Sequence, residues 1–175
     1  MKKLLLTLAI LGGITLSSFA QSSTGSTSSP AKGGIKFSIG AEGAIPVGDA
    51  SDIYNAVIGG SIKCDFPLNA STFITLDAGY NSFMIKSDLK DALGQSSSGF
   101  IPVKAGIKYY SAGGFFLEGQ VGSVFSTQNG GGNSFAWSAG FGYTFDGGFE
   151  AGARYEAWTN GGTIGQAGLR LAYRF

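Results

Sequence analysis

The chain has 175 residues, of which 30 are Gly, 13% are aromatic and only 13% are charged, about half the usual charged share. It contains no His, which removes Ser-His-acid hydrolysis and the commonest metal ligand. The single Cys64 cannot form an internal disulfide, and 12 basic against 11 acidic residues give no electrostatic reason to expect nucleic acid as a partner.

In chain order, Lys2-Lys3 is a small positive patch, 4–16 is almost wholly apolar, and Ser18-Phe19-Ala20 supplies small residues for a signal peptidase. This predicts a signal peptide over 1–20, cleaved after Ala20. A transmembrane helix needs roughly 20 apolar residues, more than 4–16 offers. No Cys directly follows the cleavage point, where Gln21 stands, so a lipid anchor is not expected. Loss of Lys2 and Lys3 leaves ten basic and eleven acidic residues, a net charge of −1. The Ser/Thr/Gly-rich stretch 21–34 predicts a flexible tail.

From 35 onward, turn residues divide the chain into eight alternating segments. The first, 35–45, sets Ile35, Phe37, Ile39 and Ile45 opposite Lys36 and Glu42. The second, 54–66, opposes Ile58, Ile62 and Cys64 to Lys63 and Asp65. In the third, 72–82, Ile74, Leu76 and Tyr80 oppose Asp77; in the fourth, 101–109, Val103 and Ile107 oppose Lys104 and Lys108. The fifth, 115–125, puts Leu117 and Val121 opposite Glu118. The sixth, 135–145, alternates Phe135, Trp137, Phe141, Tyr143 and Phe145 with small residues. The seventh, 149–158, opposes Tyr155 to Glu150, Arg154 and Glu156; the eighth, 165–175, opposes Leu169, Leu171, Tyr173 and Phe175 to Arg170 and Arg174. Such lengths match the ~9–11 residues a tilted strand needs to cross a bilayer.

Every charged residue of these segments falls on the face opposite the apolar set. Alternation alone is what any half-buried sheet shows. Connection lengths separate the classes: tight turns at 67–70, 111–114 and 146–148 alternate with longer connections at 46–53, 85–100, 126–134 and 159–164, as in outer-membrane barrels. Aromatics gather toward the tight-turn end (Phe66, Tyr109, Phe115, Tyr143, Phe145, Phe149), where an interfacial girdle belongs. Pro102 is expected at the outer end of the fourth strand, because it cannot donate to a ladder.

A strand that ends on Phe175, apolar at Leu169, Leu171 and Tyr173 before it, resembles the C-terminal recognition strand of bacterial outer-membrane barrels. The chain from 35 to 175 is similar, in pattern rather than in identities, to the small OmpA/OmpX-type outer-membrane barrels. The resemblance implies that Leu169, Leu171, Tyr173 and Phe175 form the signal read by the barrel-assembly machinery. It also implies a bacterial outer-membrane location. The expected fold is all-β, a closed eight-stranded antiparallel up-and-down transmembrane β-barrel over 35–175.

An eight-stranded barrel has an interior that side chains can fill. The lumen is expected to hold Lys36, Glu42, Lys63, Asp65, Asp77, Lys104, Lys108, Glu118, Glu150, Arg154, Glu156, Arg170 and Arg174 as a balanced, paired network, since unpaired buried charge is costly. Lys108 is expected near Glu118, and Arg154 and Glu156 near Arg170. Luminal glycines such as Gly40, Gly106, Gly140 and Gly168 are expected to leave room for water. The expected role is structural or surface-interacting, with no enzyme activity, catalytic residue, cofactor or metal. Expected partners are outer-membrane lipid and the assembly machinery, with the barrel a monomer and the external partner open. Two alternatives stand beside this: a narrow solute or ion channel, and a soluble secreted barrel that binds an apolar ligand.

Overall fold

The computed structural model describes residues 34–128 and 130–175; the signal peptide and almost all of the tail expected over 1–34 lie outside them. Eight strands follow one another: β1 (Lys36–Val47), β2 (Tyr54–Pro67), β3 (Thr72–Ile85), β4 (Ser97–Ala112), β5 (Phe115–Ser126), β6 (Asn133–Thr144), β7 (Phe149–Thr159) and β8 (Thr163–Arg174). Each pairs antiparallel with the next, and β8 pairs with β1 to close the barrel. At this seam the register runs from Ser38↔Arg174 to Val47↔Gly165. Backbone hydrogen bonds between Phe37 and Phe175 in both directions, at 3.2 and 2.9 Å, extend it. Closure leaves no strand edge unpaired, which removes the usual route to edge-on aggregation.

Tight turns and longer connections occupy opposite ends. Gly113-Gly114 has φ of 56° and 92°, and Gly147-Gly148 has 89° at both positions, a left-handed backbone that only glycine adopts cheaply. Two short helices, α1 (Ala50–Ile53) and α2 (Ser87–Leu93), sit in connections at the other end. Gly94, at φ 63°, stops α2.

The strands differ in extent from the sequence expectation. β3 continues to Ile85 and β4 starts at Ser97, because Phe83 pairs with Ser98 and Met84 with Ser97. Pro102 therefore lies inside β4, not at its end. It pairs with Val124 of β5, while the β3–β4 ladder skips from Ala78↔Val103 to Asn81↔Phe100 around it. A missing N–H is tolerated where one ladder is already interrupted. The β7–β8 connection shrinks to residues 160–162, since Thr159 pairs with Thr163.

The barrel is inverted relative to a water-soluble protein. Large apolar side chains line the outside and are exposed, among them Ile39 at 59%, Ile62 at 60% and Leu169 at 63%, while Lys104, Lys108 and Glu156 inside are at most 2% exposed. The inner face also holds two apolar clusters that the alternation analysis did not anticipate. At the loop end Val57, Phe83, Val124, Ala136 and Trp158 pack together; at the tight-turn end Phe73, Tyr110 and Phe116 do.

The luminal glycines stand where the wall is too crowded for a larger side chain. A Cβ at Gly40 would lie 2.9 Å from Leu171 O, and at Gly79 2.7 Å from Gly60 O; at Gly106 and Gly122 it would collide with the carbonyls of Gly119 and Val103. These glycines sit beside large inward residues: Gly106 opposite Gln120, Gly122 opposite Lys104, and Gly140 between Glu118 and Arg154. On the concave side of a small barrel the strands crowd together, and glycine lets a long neighbour lie across the wall.

Candidate functional site

Inward parity gathers the charged residues of seven strands in the lumen, nine of them in one connected lattice of ion pairs and Lys63 with Glu118 in a separate pair. At its centre Glu42 of β1 receives Arg154 of β7 as a fork, with Nη2–Oε2 at 2.6 Å and Nη1–Oε1 at 3.2 Å. The second cation on Glu42 is Arg170 of β8, with Nε at 3.5 Å. Toward the loop end, Arg154 Nε lies 3.1 Å from Glu156, which also receives Lys104 at 2.5 Å. Trp158 Nε1 donates to Glu156 Oε1 at 2.6 Å, tying the lattice to the aromatic cluster above it. Planar, bidentate pairing is what makes an arginine–carboxylate contact directional.

Toward the tight turns, Lys108 Nζ lies 2.6 Å from Glu150 and 3.2 Å from Asp65, and 4.2 Å above the ring of Phe116. Arg170 Nη1 reaches Glu150 at 3.5 Å. Lys63 sits on Glu118 with both oxygens within 2.8 Å. Gln120 joins Glu118 to Thr75 and Ser138. At the mouth, Arg174 donates to Tyr110 Oη at 2.7 Å, Tyr110 Oη and Thr144 Oγ1 lie 3.0 Å apart, and Thr144 donates to Glu150 at 3.3 Å.

Of the thirteen candidate residues, eleven make ion pairs with one another; Lys36 and Arg174, nearest the tight-turn mouth, lie outside those pairs. The partner choice differs from the hairpin expectation. Lys108 and Glu118 are register neighbours, yet each turns across the lumen, to Glu150 and Asp65 and to Lys63 respectively. Arg154 and Arg170 meet through the shared Glu42. A barrel eight strands round is narrow enough that a long side chain reaches an opposite wall as readily as its neighbour. Asp77 is the weakest member: its nearest cation, Lys104, is 3.8 Å away and its carboxylate takes no hydrogen bond.

The remaining space is small. A void of about 10 Å³ lies beside Glu42, Asn81, Arg154 and Glu156, and another of about 20 Å³ beside Lys63, Glu118 and Arg170. Each is on the scale of one water molecule. Ser61 donates to Glu42 at 2.6 Å, which looks like a hydroxyl with a base. Glu42 is already held by two arginines, however, and Ser61 is buried. Among the described residues no three His, Cys, Asp or Glu gather to hold a metal ion.

The outer wall carries Leu169, Leu171, Tyr173 and Phe175 in a row, all exposed. Tyr143 packs on Phe145 at 4.9 Å and Phe145 on Phe149 at 5.9 Å between ring centroids. These rings ring the tight-turn end where the sequence placed an aromatic girdle. None of the charged residues on the strands points outward with them.

The fold is that of the small eight-stranded outer-membrane barrels of OmpA/OmpX-like type. It is similar to the crystal structure of Ail, the attachment invasion locus protein of Yersinia pestis, with a TM-score of 0.58, 19% identity, and 81% of this chain and 99% of that chain covered. The N-terminal β-barrel domain of Pseudomonas aeruginosa OprF matches with a TM-score of 0.58, 17% identity, and 80% and 97% covered. The outer-membrane enzyme PagL matches with a TM-score of 0.56, 14% identity, and 78% and 98% covered. No family model matches the sequence, and no curated protein matches it.

Proposed function

We propose that this protein is an integral bacterial outer-membrane barrel with a structural or surface-interaction role, whose lumen is plugged by its own charge lattice. The observation that carries this is the inversion of the barrel. Uncharged apolar side chains cover the strands outside, and eleven of the thirteen charges inside are paired at 2.5–3.8 Å. In water that wall is a large apolar patch, the kind soluble monomers avoid; in hydrocarbon it is the favoured surface, and closed strand pairing satisfies the backbone. Similarity to outer-membrane barrels of known structure supports the same location.

In this proposal the tight turns face the periplasm and the longer connections face outward. Leu169, Leu171, Tyr173 and Phe175 serve the assembly machinery, and bilayer lipid is the immediate partner of a monomeric barrel. The thirteen luminal residues hold the structure rather than perform chemistry. PagL shows that an enzyme can use this fold, but a sequence without His and a buried Ser61 saturated by neighbours favour a non-catalytic role.

The test is conductance of the purified protein in planar bilayers. A plugged lumen predicts no discrete openings in potassium chloride at any applied voltage that the bilayer survives. Reproducible openings of one unit size would overturn the plug and make the lattice the lining of a narrow ion path.

A further inference from the structure

One inter-strand ladder is interrupted away from its ends. Between β3 and β4 the register passes from Ala78↔Val103 to Asn81↔Phe100, leaving out Gly79, Tyr80, Ile101 and Pro102. The irregularities elsewhere, Tyr54/Ala56 and Tyr110/Ala112, sit at strand ends. Pro102 has no N–H to offer a neighbour. Beyond the gap, toward the loop end, four pairs from Asn81↔Phe100 to Met84↔Ser97 hold β3 to β4, extended by Ile85 N–H to Ser96 O at 3.0 Å. Each strand is held more firmly on its other side. β3 pairs with β2 without a break from Ala56↔Met84 to Pro67↔Phe73, and β4 with β5 from Phe100↔Ser126 to Tyr110↔Phe116. The lumen behind the gap is short of donors. Asp77 and Asn81, both 2% exposed, face inward on either side of Gly79. Among the described residues four buried side-chain atoms lack a hydrogen-bond partner, and three of them are Asp77 Oδ1, Asp77 Oδ2 and Asn81 Oδ1.

We infer that the loop-end part of the β3–β4 seam is a gate in the barrel wall, which opens by parting Asn81–Met84 from Ser97–Phe100 and admits water to Asp77 and Asn81. In the open state β3 stays on β2 and β4 stays on β5, and the parting stops at Gly79 and Pro102. Opening breaks few pairs, and it returns part of what it costs. The carboxylate and amide oxygens that lack donors in the closed wall gain them from water, and a buried acceptor without a donor is costly. The connection has the length to allow the movement. Residues 86–96, eleven in all, join β3 to β4, whereas 48–53, 127–132 and 160–162 join the other loop-end pairs. Closure is held by rings. Between centroids, Phe83 of β3 lies 5.3 Å from Phe100 of β4 and 5.0 Å from Trp158, and Phe100 lies 5.1 Å from Trp158. This aromatic cluster is the latch. The gate goes beyond the plugged-lumen reading and leaves the ion pairs below it in place.

The test is hydrogen–deuterium exchange of the full barrel in phospholipid nanodiscs, read by mass spectrometry, because slow amide exchange reports local opening of this kind. In the wild type the amides of 81–84 and 97–100 are expected to exchange about tenfold faster than those of 135–138 and 156–159. The latter pair over the same loop end in the unbroken β6–β7 ladder. Pro102→Val and Pro102→Ala restore the missing N–H, and each is expected to slow exchange at 81–84 and 97–100 about fivefold while leaving 135–138 unchanged. Equal exchange in the two wild-type seams, or no slowing in either Pro102 variant, would overturn the inference. A heat-dependent gel shift recorded for every protein identifies a variant that has not formed a barrel, and the wild-type comparison stands without any variant.

Discussion

Val121→Arg isolates the property on which the membrane assignment depends, because it adds one charge to the outer wall and nothing to the lumen. Val121 lies midway along β5, 55% exposed, flanked by Ala105 of β4 and Trp137 of β6. The site has open space around it, so steric strain is minimal and the cost is that of the environment alone. In hydrocarbon near the bilayer midplane an outward arginine on a barrel costs about 2–4 kcal/mol, or roughly 30- to 1,000-fold in the folding equilibrium. In water the same exposed change stays within about 0.5 kcal/mol. The assay is guanidinium unfolding and refolding in phospholipid vesicles, scored by the fraction migrating as folded barrel on unheated gels. A loss below about 0.5 kcal/mol would refute the assignment of this face to lipid.

Lys104→Gln tests the lattice: it leaves Glu156 without the contact at 2.5 Å, and removing one partner of a buried pair costs about 3–5 kcal/mol. In the same vesicle assay, adding Glu156→Gln should recover part of that loss, and strictly additive effects would deny the coupling. Gly140→Val drives a side chain into the Arg154 Cβ 2.7 Å away; it should cost about 1–3 kcal/mol as overpacking, and a neutral result in urea unfolding would contradict the crowded inner wall. Phe175→Ser should slow membrane assembly in cells while leaving the denaturant midpoint of the refolded barrel little changed, since among the described residues its ring stacks on Phe37 alone, at 6.4 Å between centroids. Normal assembly kinetics would remove the terminal-signal role.

Strand parity was legible because each segment places its charges on one face, and that single rule puts Lys63, Lys104, Glu118 and Glu156 inside together. What parity does not encode is reach. Lys108 and Glu118 are neighbours across a ladder, yet their side chains prefer partners on other walls, a choice made by the width of the closed barrel. The two aromatic clusters escaped for a related reason. Phe73, Phe83, Phe116 and Trp158 share the charged parity but sit at strand ends, where alternation continues inward over residues that look like loop or girdle. Pro102 misled in the same way: its missing donor marks a gap in one ladder, not the end of the strand.

The most direct test of the whole account is the gel mobility of protein extracted from the membrane fraction, with and without boiling in SDS. A closed barrel in which every strand pairs on both sides and whose interior is knitted by ion pairs should resist SDS when unheated and migrate differently after boiling. Identical mobility, with the protein recovered in the soluble fraction, would contradict the account and turn the apolar wall into a surface that some other partner must cover.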